Sequence, residues 1–300
     1  MLERLLFQKR QMDMSLEEIE DENGLDRSIR RSLTHQKSPG ITFEDFLERY
    51  KDLPVQTVAF GYDENYLPLL FDLGEEHSEP LVVIGDPKSG KTRFLQTFLH
   101  LSMSFNSSEV LNFVVITSTP DEYEILEHLG NVSRHCLGVV SADDPEAAEW
   151  ILRLAETAEE RLSTLDLSPA ILLVLDDLQF IQSLDTEVRL NLEWLLRNGP
   201  DGHVWVIGAI STSAALTMGR YISQFRTRIL GKMPDRHAIR LGLYPGLKSH
   251  DLTAGQQFAV YLNQSWLPFW VPEKNFSDFE LPEQEKTSDE SKINQIDGDN

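Results

Sequence analysis

Lys91 and Thr92 close an octapeptide, Gly85-Asp86-Pro87-Lys88-Ser89-Gly90-Lys91-Thr92, whose spacing of glycine, lysine and hydroxyl suits phosphate binding. Backbone N–H groups about Gly85 and Gly90 can wrap phosphate oxygens closely. Lys91 can reach the β- and γ-phosphates of a nucleotide, and the Thr92 hydroxyl can hold Mg2+. Hydrolysis needs more: a carboxylate to orient the metal and a group to activate water. The apolar run 171–175 ends in Asp176-Asp177. Asp176 is expected to hold Mg2+, through water. Asp177 stands where a general base sits, one methylene shorter than the usual Glu. The plainer alternative is a strand followed by a helix cap, which Asp commonly provides. Ser211 and Thr212, after the apolar run 204–210, could lie beside the γ-phosphate and sense it.

These side chains need a scaffold. Residues 80–84 read as a short buried strand entering the loop. Residues 93–105 read as a helix leaving it, with Phe94, Leu95, Phe98 and Leu101 on one face. Further strands are expected at 111–116, 137–140, 171–175, 204–210, 228–230 and 258–262. Between them lie a helix begun by Thr119-Pro120 and closed by Gly130, one running from Asp144-Pro145 to about 165, and one over 187–197. Residues 55–73 suggest a β-hairpin, with arms 55–60 and 67–73 around a turn at 61–65. Strands alternating with helices predict an α/β fold with a mostly parallel sheet and helices on both faces. Upstream, residues 16–20 and 43–50 could be short helices, the second capped by Thr42 with Asp45.

Composition narrows the function. The chain has 300 residues, 41% of them hydrophobic, and a net charge of −22, which argues against a surface that binds nucleic acid throughout. No apolar run approaches the roughly 20 residues of a membrane helix, so no membrane insertion is expected. The single cysteine, Cys136, excludes an internal disulfide framework and suits a reducing, cytoplasmic setting. The eight histidines show no metal-ligand spacing, and Trp266, Phe269 and Trp270 read as packing residues. Arg27, Arg30 and Arg31 read as a solvated face. One local reversal of charge stands out: Arg220, Arg226, Arg228, Lys232, Arg236 and Arg240, with Asp235 the lone acid among them. One of these arginines could act as a finger in a neighbouring subunit's nucleotide site. Binding to an acidic partner or nucleic acid, or pairing with the surplus carboxylates, are the other readings.

With these pieces placed, residues 55–272 resemble the FtsK/SpoIIIE/HerA group of motor ATPases, most closely the FtsK-type domains of the EccC/EssC ATPases of type VII secretion. The features that carry it, in order, are Phe60-Gly61-Tyr62-Asp63-Glu64-Asn65 leading into Leu70-Phe71-Asp72-Leu73, then Ser89-Gly90-Lys91-Thr92, Asp176-Asp177, Gly202-His203-Val204, Phe225-Arg226-Thr227-Arg228-Ile229, and Leu252-Thr253-Ala254-Gly255-Gln256-Gln257-Phe258. The resemblance implies a RecA-like P-loop NTPase core preceded by the hairpin, with ATP and Mg2+ as ligands and Arg228 as the finger. It also implies a homo-oligomeric ring, expected as a hexamer, that moves DNA or protein through its pore. The chain departs from the DNA translocases after the strand at 204–210, where Ser211-Thr212 stands and their Gln is missing. The organisation expected is a charged, partly helical lead-in over 1–53, the ATPase domain over 54–273 and an acidic disordered tail over 274–300. A nucleotide-controlled scaffold with little hydrolysis is the alternative function.

Overall fold

The strands around the phosphate loop carry almost no polar alternation. Leu81–Gly85 (β3), Ala170–Asp176 (β6) and Val204–Ser211 (β7) are buried along nearly their whole length, as a sheet covered by helices on both faces requires. The computed structural model describes residues 40–74, 79–164, 167–241, 247–262 and 265–274. Seven further strands complete the sheet: Thr57–Tyr62 (β1), Pro68–Asp72 (β2), Leu111–Thr117 (β4), Cys136–Ser141 (β5), Thr227–Leu230 (β8), Gln257–Leu262 (β9) and Ser265–Trp270 (β10). Their order is β2-β1-β10-β9-β8-β3-β7-β6-β4-β5. Every pairing from β8 across to β5 is parallel. Every pairing from β8 outward to β2 is antiparallel.

Among the described residues, five helices of seven residues or more enclose this sheet: Phe43–Arg49 (α1), Lys91–Phe105 (α2), Glu124–Val132 (α3), Pro145–Thr164 (α4) and Thr186–Asn198 (α5). The pleat of β6 divides the core between two faces. Ile171, Leu173 and Leu175 point to the layer of α4 and α5, where Trp150, Ile151, Leu154, Leu192 and Leu195 are buried. Leu172 and Val174 point to the layer of α2, against Phe94, Leu95 and Phe98. Proline at the first position and the Asp144 Oδ1, which accepts the Glu146 N–H at 2.9 Å, start α4. Among the described residues no helix is long and apolar enough to cross a membrane.

The predicted hairpin is present as β1 and β2, paired antiparallel from Thr57–Asp72 to Tyr62–Pro68. Helix α1 begins at the expected cap, Thr42 Oγ1 accepting the Asp45 N–H at 3.1 Å. Its Phe43 and Phe46 pack on Ala59, Tyr62 and Leu101. The Phe43 N–H also donates to Glu273 O at 2.9 Å, so part of the lead-in closes against the end of the domain. The expected helix at 16–20, the arginines at 27, 30 and 31, and the tail from 275 lie outside the described residues.

Two local expectations need correction. Gly130 does not close a helix. It lies inside α3, where a Cβ would come within 2.6 Å of the Cys136 Cβ and 2.8 Å of the Phe113 Cζ; its smallness serves close packing of helix on sheet. Thr119 makes no side-chain cap, because a short 3-10 turn, Pro120–Tyr123, precedes α3. The residues read as packing aromatics do pack: Phe269 is buried beside Phe60 and Phe258, Trp270 stacks near Tyr62, and Trp266 meets Tyr261 edge to face. They sit on β10, a strand beyond those expected.

Candidate nucleotide site

β3 ends at Gly85 and α2 begins at Lys91, so the octapeptide is the turn between a buried strand and a helix of 15 residues. Gly90 occupies the cap position with φ of 92°, and no side chain caps the helix. The first N–H groups of α2 are therefore left to the hollow of the loop, where an anion is favoured. Lys91 Nζ donates to Gly85 O and Asp86 O, both at 3.2 Å. Burial lowers its pKa, against the attraction of Asp176, Asp177 and Asp86. A half-desolvated ammonium on loop carbonyls is poised to exchange them for phosphate oxygens. Ser89 Oγ is buried with no partner.

The loop is braced from outside. Asp86 N–H donates to Lys232 O at 3.1 Å, and Gly255 N–H donates to Ser89 O at 2.9 Å. A Cβ on Gly90 would lie 2.3 Å from the Gly255 Cα, so where the two backbones meet the Gly90 position has no room for a side chain. The residues after β8 and the turn before β9 thus fix the loop's shape.

The acidic pair sits on the second strand over. β7 lies between β3 and β6, and its register sets Ser211 beside Gly85 and Ala209 beside Asp176. All these positions lie at the carboxyl ends of parallel strands, the edge where open α/β sheets bind ligands. Asp176 is buried. Tyr123 Oη donates to its Oδ2 at 3.0 Å. Burial raises the Asp176 pKa, opposed by the hydroxyls of Thr92 and Tyr123. Thr92 and Asp176 are thus near enough to interact and present two hard oxygen donors. That set suits Mg2+, which takes few protein ligands and completes its shell with water and phosphate. Asp177 has a left-handed backbone, φ 77°, and its carboxylate accepts the Gln179 N–H at 3.1 Å. It caps the 3-10 turn Leu178–Ser183 in this conformation. Ser211 Oγ accepts from the Ala214 N–H at 3.3 Å and from Gln179 Nε2 at 3.0 Å, while the Thr212 hydroxyl is buried without a partner.

The arginines divide. Arg220 pairs with Glu193 and Arg226 with Glu79, each at 2.9 Å, as the charge-pairing reading expects. Arg228 lies opposite Val82, toward the start of β3, with Nε donating to Phe225 O at 3.2 Å. The structure does not bring it to the phosphate loop of its own chain. Three residues at the site carried no readable signal. Tyr123 and Gln179 reach Asp176 and Ser211 only through contacts between elements far apart in sequence. His237, with Nδ1 at 3.8 Å from Asp86 Oδ1, arrives from a short helix after β8.

No family model matches the sequence, and no curated protein matches it. Solved structures do. ATPases 2 and 3 of Thermomonospora curvata EccC, in complex with a signal sequence peptide, superpose with a TM-score of 0.60 at 14% identity, covering 80% of this chain and 44% of that one. ATPases 2 and 3 of EssC from Geobacillus thermodenitrificans give 0.61 at 14%, covering 80% and 48%. The pCW3 conjugation coupling protein TcpA, with ATPγS, gives 0.60 at 16%, covering 79% and 70%. This chain has the α/β fold of these EccC, EssC and TcpA structures. It spans less than half the length of the EccC and EssC chains. At these identities the likeness establishes the fold alone; what the site does rests on its own residues.

Proposed function

We propose that this chain is an ATPase domain that binds Mg-ATP at the loop 85–92, hydrolyses it, and works as one subunit of a homo-oligomeric ring that moves a polymer. One observation carries the reading: Lys91, Thr92 and Asp176 converge at the carboxyl edge of a parallel sheet, beneath uncapped N–H groups of α2. The backbone of 85–92 holds the phosphates. Lys91 leaves the carbonyls of Gly85 and Asp86 for the β- and γ-phosphates. Thr92 and Asp176 hold Mg2+, which neutralises charge on the phosphates. Asp177 is the base, once its carboxylate leaves the Gln179 N–H. Arg228, which lies away from its own loop, serves a neighbouring subunit, as part of a hexameric assembly. The free cysteine, Cys136, and the EccC and EssC likeness support a cytoplasmic site of action.

The net charge of −22 favours a polypeptide over DNA as the moved polymer. Duplex DNA that raises turnover, with binding that weakens steeply in salt, would assign DNA instead. Phosphate release from wild type and Lys91→Ala tests the enzyme reading. Release that vanishes in a folded variant supports it, and equal rates refute it. The capping role of the Asp177 carboxylate favours a second reading, a nucleotide-controlled scaffold. That reading predicts tight ATP binding with negligible release.

A further inference from the structure

Gln179 is exposed on the 3-10 turn after β6, while its neighbours Leu178, Phe180 and Ile181 are buried. Packing therefore does not explain its side chain's place. Two features aim it. The left-handed backbone of Asp177 turns the chain back over the sheet edge, a conformation that costs energy for a residue with a Cβ and concentrates at functional sites. The Asp177 carboxylate then pins the Gln179 N–H at 3.1 Å. As a result the amide crosses from the end of β6 to the end of β7, and Nε2 donates to Ser211 Oγ at 3.0 Å. Ser211 pairs in register with Gly85, where the phosphate loop begins. Neighbouring strands lie about 4.8 Å apart, so Ser211 stands between the loop and Asp176. The Gln179 amide thus reaches the end of the strand that separates the phosphate loop from Asp176.

We propose that Gln179 is the γ-phosphate contact of this site: its amide rests on Ser211 Oγ when no triphosphate is bound and donates to a γ-phosphate oxygen when one is. An amide suits this task because it donates without carrying a charge that changes with pH, and its carbonyl oxygen remains to orient a water. Ser211, which also meets Ser213 Oγ at 3.2 Å, is the resting partner and not the sensor. The inference rests on the nucleotide-binding reading of the loop but needs no hydrolysis.

The experiment measures affinities of the full chain for ADP and for a non-hydrolysable ATP analogue, with Mg2+, in wild type, Gln179→Ala and Gln179→Glu. Loss of one charge-assisted hydrogen bond predicts about a tenfold weaker analogue in Gln179→Ala, with ADP within about twofold. Gln179→Glu weakens the analogue further, since its carboxylate faces the γ-phosphate. A purely structural residue would move both nucleotides together. An analogue-to-ADP ratio unchanged in both variants overturns the Gln179 assignment while the nucleotide site stands. Wild type that binds neither nucleotide overturns the site and Gln179 with it. Both variants keep the buried residues of the turn, so folding is expected to survive.

Discussion

Replacing Tyr123 by Phe removes a single oxygen from the site and keeps the ring. That oxygen donates to Asp176 Oδ2 at 3.0 Å from a fully buried position. Burial and the adjacent Asp176 push the Tyr123 pKa well above its ordinary value, so the hydroxyl remains a donor. A hydrogen bond to a charged group contributes about 1.5–3 kcal/mol. The Thr92 hydroxyl also favours the ionised Asp176, so the lower end applies, about 1.5–2 kcal/mol. With a urea slope of about 2 kcal/mol/M, the midpoint falls by somewhat under about 1 M. The effect has a sign in pH. The Asp176 carboxyl has a folded pKa above its ordinary 3.8, so the folded state holds the proton more readily than the unfolded one. Its ionisation therefore costs stability at neutral pH, and that cost is relieved as pH falls through the folded pKa. Removing the Tyr123 donor raises the folded pKa further and enlarges the cost. The destabilisation is thus largest at neutral pH and shrinks in acid. Mg-dependent nucleotide affinity is lost at higher pH in the variant, as a proton competes for Asp176. Urea unfolding across pH reads the first effect and Mg-nucleotide titration the second. A midpoint shift below about 0.2 M that is the same at neutral and acid pH would refute the reasoning.

Other substitutions test other contacts. Gly90→Ala places a Cβ at 2.3 Å from the Gly255 backbone at φ 92°; strain alone costs about 1–2 kcal/mol, so the clash takes the loss in thermal or urea unfolding beyond that and weakens nucleotide binding. Gly255→Ala meets open space at φ 77°, so it should lose only the strain, about 1–2 kcal/mol. His100 is partly buried beside Phe43, ring to ring at 4.4 Å, and its desolvation lowers its pKa from 6.5 to about 4. Its unfolded form takes up a proton first, so stability is lost as pH falls from 6.5 toward about 4; His100→Gln should flatten that part of the profile. Mixing Arg228→Ala with Lys91→Ala protein should restore some ATP turnover, because mixed rings pair an intact loop with an intact arginine. No recovery at any ratio in co-assembled protein counts against the trans role.

What the sequence shows well is chemistry confined to consecutive residues. The octapeptide needs only its own glycines, lysine and hydroxyl, and Asp176 is marked by the apolar run that ends in it. The alternation of apolar strands and helices likewise exposes the parallel half of the sheet, since buried strands carry an unbroken apolar signal. What stays hidden depends on pairing at a distance. Tyr123 becomes a partner of Asp176 only because β4 lies against β6. Asp177 could be read as base or cap, and its backbone angle, which no pattern encodes, shows it as a cap in this conformation. β10 carries Pro268 and pairs with β9; a proline inside a short run weakens the strand signal. Gly130 misled because a glycine after an apolar helix pattern signals a terminus, whereas here it admits Cys136 and Phe113.

The most direct test of the account is the location of the nucleotide in a crystal structure with Mg2+ and a non-hydrolysable ATP analogue. The account predicts phosphates wrapped by residues 85–92, Mg2+ beside Thr92 and Asp176, and Lys91 Nζ moved from the Gly85 and Asp86 carbonyls onto phosphate. A nucleotide bound elsewhere, or Lys91 still on those carbonyls with phosphate in the loop, would contradict it.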